Sequence, residues 1–245
     1  MPHILLHICL YIGVNYDLIF ADNGKSSLGN SGIRRRTQMN SRTLTGWLLI
    51  GGPIVMWAGF MTMFPALGNV DWSDASEMLS AAGENAGIMK AAISVATLGM
   101  LIVAAGFAGL NHSMSGGSGA HYMRAGLLVY VIGATVVIGE SALTIGMAEA
   151  ASGGNQAVAE ALYGAAHAIG SAGEATRFLG MAVIGFAIYT QKNLHMVLGC
   201  LMFLIGLIGV GLSVCVYQSD FMIIAYIGMT IVVIATGILV VRAKE

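Results

Sequence analysis

Charged residues are scarce in this chain of 245 residues, at 9% of the total, whereas a soluble domain carries about a quarter. The 11 Lys and Arg nearly balance the 12 Asp and Glu, so there is no net charge to attract nucleic acid. Only 3 prolines accompany 34 glycines, which excludes a Gly/Pro-rich disordered chain. Hydrophobic residues make up 57% and the mean hydropathy is +0.80. This composition predicts a polytopic protein of the lipid bilayer.

Cysteine is equally rare, with three residues and no CxxC spacing. Cys200 and Cys215 fall in one predicted helix, about 22 Å apart at the rise of an α-helix, which is too far for a disulfide. Together with Cys9, they are interpreted as small hydrophobic residues, and no redox framework follows.

Six segments reach the length that a transmembrane helix needs. They are too long for barrel strands, so the fold class is an all-α bundle of six transmembrane helices within residues 44–245. Small residues four apart, Ala105 with Gly109 and Gly164 with Ala168, predict close helix contacts. The predicted spans are residues 45–67, 88–110, 124–148, 160–190, 195–216 and 221–241.

Residues 1–43 differ from the rest of the chain. Their apolar run, residues 4–14, is too short to span a bilayer, and a Gly/Ser-rich stretch with Arg34-Arg35-Arg36 follows it. This segment is predicted to be a flexible cationic extension. Because Met39 stands just before the first span, residues 1–38 are interpreted as the product of an over-long gene assignment.

The connection after the first span carries a helix-start pattern. Ser73 or Asp74 can cap a short helix that includes Glu77 in its first turn. An ordinary surface turn is the alternative.

Ionisable residues inside spanning helices are costly unless they face the bundle interior. Glu160, His167 and Glu174 recur every seven residues in the fourth span and therefore share one face. Arg177 lies about one turn beyond Glu174 and can pair with it. We expect this face to point into the bundle.

Counting residues from the cytoplasmic ends predicts which charges meet. Glu140 and Glu174 both lie about 24 Å up, and Arg177 about 20 Å, while Lys90 and His167 lie nearer the outer surface. One interpretation is an Arg177 clamp holding both carboxylates. The others are an outward-facing polar cavity for a small solute, proton or cation, and acid/base chemistry with His167.

The remaining histidines suggest a copper site. His112, His121 and His195 each have a methionine one or two residues away, and all three are predicted near the cytoplasmic surface. Imidazole and thioether form a suitable soft ligand set for Cu(I), although a Met-rich chain places Met beside His often. The candidate ligands are His112, His121, His195, Met114, Met123 and Met196.

The chain resembles a family of uncharacterised bacterial multi-helix membrane proteins, known as a domain of unknown function. The resemblance covers residues 45–241 and implies a helical integral membrane protein with no known activity, so no catalytic residue is carried over. Its motifs are Gly46-Trp47-Leu48-Leu49-Ile50-Gly51-Gly52, Glu84-Asn85, Arg124 with Glu140, Glu174-Ala175-Thr176-Arg177 and Tyr189-Thr190-Gln191-Lys192-Asn193.

Two classes of function follow from these observations. The first is a non-catalytic membrane subunit or scaffold that binds other membrane proteins or a second copy of itself. The second is a transporter or binding protein that uses the outward-facing polar site, and a copper-binding protein is a lesser alternative. The chain has no phosphate-binding loop, HExxH or nucleophile elbow, which favours a non-enzymatic function.

The orientation follows from the basic residues. With the N-terminus inside, the predicted cytoplasmic segments hold nine of the eleven Lys and Arg, and the outer connections hold six acids and no basic residue. The protein is therefore predicted to lie in the cytoplasmic membrane with both termini in the cytoplasm.

Single cysteines test this orientation. In a variant lacking the native cysteines, an impermeant thiol reagent added outside should label positions 74 and 219, because both lie in outer connections. Position 244 should stay unlabelled. Labelling of position 244 from outside would reverse the orientation.

Overall fold

The computed structural model describes residues 31–68, 70, 74–192, 194–217 and 219–242, with side chains from residue 41 onward. The chain divides into two units, residues 1–37 and 38–245. The regular structure of the described residues is entirely helical, in keeping with the predicted all-α class. The helices are α1 (Ser31–Leu67), α2 (Ala75–Glu84), α3 (Ala86–Ser113), α4 (Ala120–Ser152), α5 (Gln156–Gln191), α6 (Met196–Cys215) and α7 (Phe221–Arg242).

Five of these helices are long and apolar enough to cross a membrane, not the six that the sequence predicts. They are α1, α3, α4, α6 and α7. The exception is α5, which is 36 residues long. Its length is ample, but Glu160, Glu174 and Arg177 lower its hydropathy. The five apolar helices indicate an integral membrane protein.

The N-terminal boundary differs from the predicted one. Helix α1 begins at Ser31, so residues 31–43 belong to the first helix instead of preceding it. Residues 1–30 lie outside the described residues, and the flexible extension stays a prediction.

The short helix α2 confirms the predicted helix start. Asp74 is its N-cap, and its carboxylate accepts hydrogen bonds from the backbone N–H of Ser76 at 2.8 Å and of Glu77 at 3.3 Å. The Ser76 hydroxyl also donates to it, at 2.7 Å. These hydrogen bonds, first that of the Ser76 hydroxyl, lower the pKa of Asp74, because they favour the charged carboxylate. The cap is therefore retained at neutral pH and weakens as the pH falls.

Glycines let the helix backbones approach closely. A Cβ on Gly59 would collide with the backbone of α3 at Ala92 and Ala96, and one on Gly109 would collide with Thr45 of α1. The predicted close contact at Gly109 is therefore confirmed. The one at Gly164 is wrong, since a Cβ there would meet nothing within 4 Å. A close contact between helices requires small residues, but a small residue can also lie where no helix faces it.

Helices α4 and α5 form an antiparallel pair whose register is fixed by close contacts at glycines. Gly133 of α4 lies against the backbone of Arg177, and Gly180 of α5 lies against the backbone of Tyr130. A side chain at either glycine would have to push main chain aside, because no rotamer change could relieve the overlap. This register positions every polar residue of the two helices.

The two-helix register can be tested with a pair of alanine variants in α4. Gly133→Ala should lower the free energy of unfolding by about 1–3 kcal/mol, because its Cβ overlaps the main chain of Arg177. Gly139→Ala is the matched control, since a Cβ there meets nothing within 4 Å. The control should leave the free energy of unfolding unchanged or raise it by up to about 1 kcal/mol, because alanine favours the helix more than glycine does. Equal thermal unfolding of both variants in detergent would contradict this packing.

Candidate functional site

An ion pair between Glu174 and Arg177 lies at the centre of the described bundle. The two residues are 4% and 2% exposed, and they are separated by one turn of α5. The guanidinium Nε donates a hydrogen bond of 2.8 Å to the carboxylate oxygen Oε2, and Nη2 lies 2.6 Å from the same oxygen. The predicted pairing within α5 is therefore confirmed. Since both charges are buried, each is retained only because the other compensates it.

The guanidinium of Arg177 also faces α7. Its Nη1 lies 3.4 Å from the sulfur of Met229. Its central carbon lies 5.8 Å from the ring centroid of Tyr226 and 5.3 Å from that of Phe178, which is within the range of a cation–π contact. Tyr130 of α4, which is 1% exposed, packs against α5 at Gly180. Arg177 thus links α5 to α7 by packing as well as by charge.

Glu140 of α4 has a different partner. It accepts a hydrogen bond of 2.5 Å from the hydroxyl of Tyr217, in the turn between α6 and α7. Gly170 of α5 makes room for this bond, because a Cβ there would collide with both the carboxylate and the phenol oxygen. A residue with a side chain at position 170 would therefore separate Glu140 from Tyr217.

The predicted clamp in which Arg177 holds both carboxylates is wrong. Among the described residues, Arg177 forms an ion pair with Glu174 alone. The α4–α5 register gives the reason: Arg177 faces Gly133, whereas Glu140 faces Gly170. These positions are seven residues apart on each helix, which is about 10 Å along the axis. Counting from the helix ends had placed Glu140 and Arg177 at nearly one level.

His167 lies beyond Glu140, toward the start of α5. Its ring makes edge-to-face contacts with Tyr163, at 4.2 Å between centroids, and with Tyr217, at 6.1 Å. Its Nδ1 is buried and has no hydrogen-bond partner among the described residues. The residue therefore keeps a free polar atom next to the Glu140–Tyr217 pair, which is consistent with the face predicted for it.

Two residues predicted in the site lie outside it. Lys90 is exposed and forms an ion pair of 2.8 Å with Glu149, near the ends of α3 and α4. Glu160 is also exposed and accepts a hydrogen bond of 3.3 Å from Gln156. Lys90 lies near the start of α3 and Glu160 near the start of α5, where water can solvate their charges.

A cavity of about 280 Å³ brings the remaining polar residues together. It extends from the Glu174–Arg177 pair, past Glu140 and His167, to Asp220 in the turn before α7. Most of its wall is apolar or aromatic, and Met78 of α2 borders it at the same end as Asp220. A concave apolar space with a few converging polar groups is the usual form of a small-molecule site.

The candidate copper ligands do not form a recognisable group. Met114 is buried, whereas His112, two residues before it, is exposed. Met123 is likewise buried, and His121, two residues before it, is exposed. His195 and Met196 are both exposed. The described residues contain no cluster of three or more His, Cys, Asp or Glu that could hold a metal ion. Copper binding by the His and Met pairs stays a prediction.

Several residues that line the cavity or contact Arg177 carry no signal in the sequence. Tyr217 follows the end of α6, and Tyr226 and Met229 stand among the apolar residues of α7. Helical periodicity marks residues of one helix that share a face, but it does not relate one helix to another. Only helix packing reveals that Tyr217 reaches Glu140 and that Met229 reaches Arg177.

Comparison of the chain with protein-family models, with characterised proteins and with solved structures gives no match. The resemblance to the family of uncharacterised membrane proteins therefore stays a prediction.

The Glu174–Arg177 pair makes a prediction about stability. Arg177→Ala should lower the unfolding free energy by about 3–5 kcal/mol, because it leaves Glu174 buried without a counter-charge. Glu140→Gln should cost less, since its amide oxygen can still accept the Tyr217 hydrogen bond. Thermal unfolding in detergent measures both effects.

A double variant separates charge from packing at this pair. Arg177→Met combined with Glu174→Gln should recover part of the lost stability, because no buried charge remains unpaired. If Arg177→Ala unfolds at the parent temperature, the pair does not stabilise the bundle.

Proposed function

We propose that this integral membrane protein binds a small solute in a cavity that opens to the outside of the cell. One observation carries the proposal: the cavity of about 280 Å³ continues from the buried Glu174–Arg177 pair to Asp220 at the end of the bundle. A purely structural polar clamp requires no such space. The cavity size suits a ligand at or below the lower end of the usual range for small-molecule pockets, which is about 300–1,000 Å³.

The direction of the opening rests on a sixth membrane crossing by α5. This helix packs along α4, from Gly119 against Ala187 to Glu140 against Gly170. It also packs along α6, with Gly199 against Tyr189. A helix held alongside two membrane-spanning helices over such a length crosses the bilayer with them.

The bundle accommodates the charges of α5. Glu174 and Arg177 are buried against protein, so the helix needs less hydropathy than one that faces lipid. Six crossings return both termini to one side. The distribution of basic residues supports a cytoplasmic position for that side, with the Asp220 end of the cavity outside.

Methionines form part of the cavity wall on its outer side. Four of them, contributed by four different helices, belong to one buried apolar cluster. Methionine side chains are unbranched and polarizable, so such a wall can adapt to the shape of a ligand. The four residues are Met63, Met78, Met89 and Met147.

A non-catalytic membrane subunit or scaffold is the second candidate function. The observation that favours it is the completeness of the Glu174–Arg177 pair, whose charges balance each other without a ligand. Helix faces made of small residues allow helices to pack closely within one bundle. The same kind of face also allows association with the helices of another membrane protein.

Two threonines of α4 provide a matched test of the solute cavity. Thr144 borders the cavity, whereas Thr135 is exposed on the outside of the bundle, and each hydroxyl bonds to the carbonyl four residues earlier. In a variant lacking native cysteines, a small, neutral, water-soluble thiol reagent should label Thr144→Cys. Thr135→Cys should react much more slowly, because the thiolate does not form in lipid.

The side from which a quencher stops the labelling of Thr144→Cys shows where the cavity opens. An impermeant quencher added outside should stop the labelling of Thr144→Cys, and the same quencher trapped inside vesicles should not. Slow labelling of both cysteines would overturn the solute cavity and leave the scaffold function. Quenching from inside alone would reverse the direction of the opening.

A further inference from the structure

The charges around the cavity are unequal. Among the described residues that line it, the carboxylates are Glu140, Glu174 and Asp220, and the single guanidinium is Arg177. Glu174 and Arg177 neutralise each other as an ion pair that includes one hydrogen bond. The cavity therefore has two acids for which its own lining supplies no cation.

Glu140 is the acid that a bound ligand would reach. It is half-buried, and its hydrogen-bond donor is the neutral hydroxyl of Tyr217. A carboxylate has about four lone-pair sites and so can accept further hydrogen bonds. Asp220 is exposed at the mouth of the cavity, where a negative charge raises the local concentration of cations.

The aromatic walls favour a cation with an organic body. Trp57, Phe60, Tyr163 and Tyr226 all border the cavity. The indole N–H of Trp57 is engaged with the Thr230 hydroxyl at 2.6 Å, which leaves its ring for contact with a ligand. Aromatic faces attract ammonium groups, and aromatic cages are the usual recognition sites of quaternary ammonium ions.

One of these rings already contacts a cation in this structure. The guanidinium of Arg177 lies 5.8 Å from the Tyr226 ring, so this ring contributes to a cation–π contact without any ligand. A small inorganic ion would leave the apolar part of the wall unused, whereas a lipid-sized molecule exceeds about 280 Å³. An ammonium ion that carries a few carbon atoms satisfies both the charge and the wall.

We propose that the solute of this cavity is a small organic monocation of the ammonium class, whose charge pairs with Glu140 between the aromatic walls. This inference rests on the proposed function, because it identifies the ligand class of the same cavity.

Protection of Thr144→Cys from the neutral thiol reagent tests the ligand class. The probes are choline and 3,3-dimethylbutan-1-ol, which has the same shape but carries no charge. Choline should slow the labelling, and the neutral alcohol should protect with about tenfold lower apparent affinity, because it lacks the ion pair with the carboxylate.

Two matched pairs of variants identify Glu140 as the counter-charge. Glu140→Gln should weaken protection by choline about tenfold and leave protection by the alcohol unchanged. Glu160→Gln, an exposed acid outside the cavity, should change neither. Gly170→Ala should also weaken choline protection, because its Cβ displaces Glu140 and Tyr217, whereas Gly164→Ala on the same helix should not.

The outcomes separate this inference from the proposed function. If Thr144→Cys is labelled but choline protects no better than the alcohol, or does not protect, the ligand class is wrong and the outward cavity stands. The ligand class is wrong as well if Glu140→Gln binds choline as the parent does while labelling at the parent rate. If Thr144→Cys is not labelled at all, the proposed function itself fails.

Discussion

The close backbone contact of α4 with α5 is the constraint on which the site depends. Gly133 and Gly180 allow the two main chains to touch, and a side chain at either position would collide with backbone. This contact sets Arg177 opposite Gly133 and Glu140 opposite Gly170. The difference of about 10 Å along the axis decides that Arg177 pairs with Glu174 while Glu140 is left to Tyr217. One register thus produces a neutral buried pair and a separate acidic position.

That separation divides the polar residues between two roles. The Glu174–Arg177 pair is buried, hydrogen-bonded and covered by Phe178 and Tyr226, so its chemistry is that of a structural link between helices. Glu140 lines a space that continues to Asp220, and its donor is a neutral phenol. The stabilising element and the proposed binding element are neighbours, yet substitutions can affect them independently.

Helix lengths explain why the space exists at the end of the bundle where α6 and α7 are connected. Helices α4 and α5 have 33 and 36 residues, whereas α6 and α7 have 20 and 22. At about 1.5 Å per residue, α6 just spans the hydrocarbon core of about 30 Å. The longer pair extends beyond the α6–α7 turn, and α2 packs against this end with Met78 and Leu79 buried. The cavity lies where the long helices, the short helices and α2 meet.

The sequence by itself determined the class of protein, because apolar composition and span length are properties of single segments. It also determined that Glu160, His167 and Glu174 share a face of one helix and that Arg177 lies about one turn beyond Glu174, since helical periodicity is local. Which partner each charge would find depended on contacts between helices. The glycine-set register moved Glu140 away from Arg177, and packing brought Tyr217, Tyr226 and Met229 to the site from segments that carry no polar pattern. Helix α5, which carries Glu174 and Arg177, is not among the five helices apolar enough to cross a membrane, and only packing shows that both charges are buried against protein.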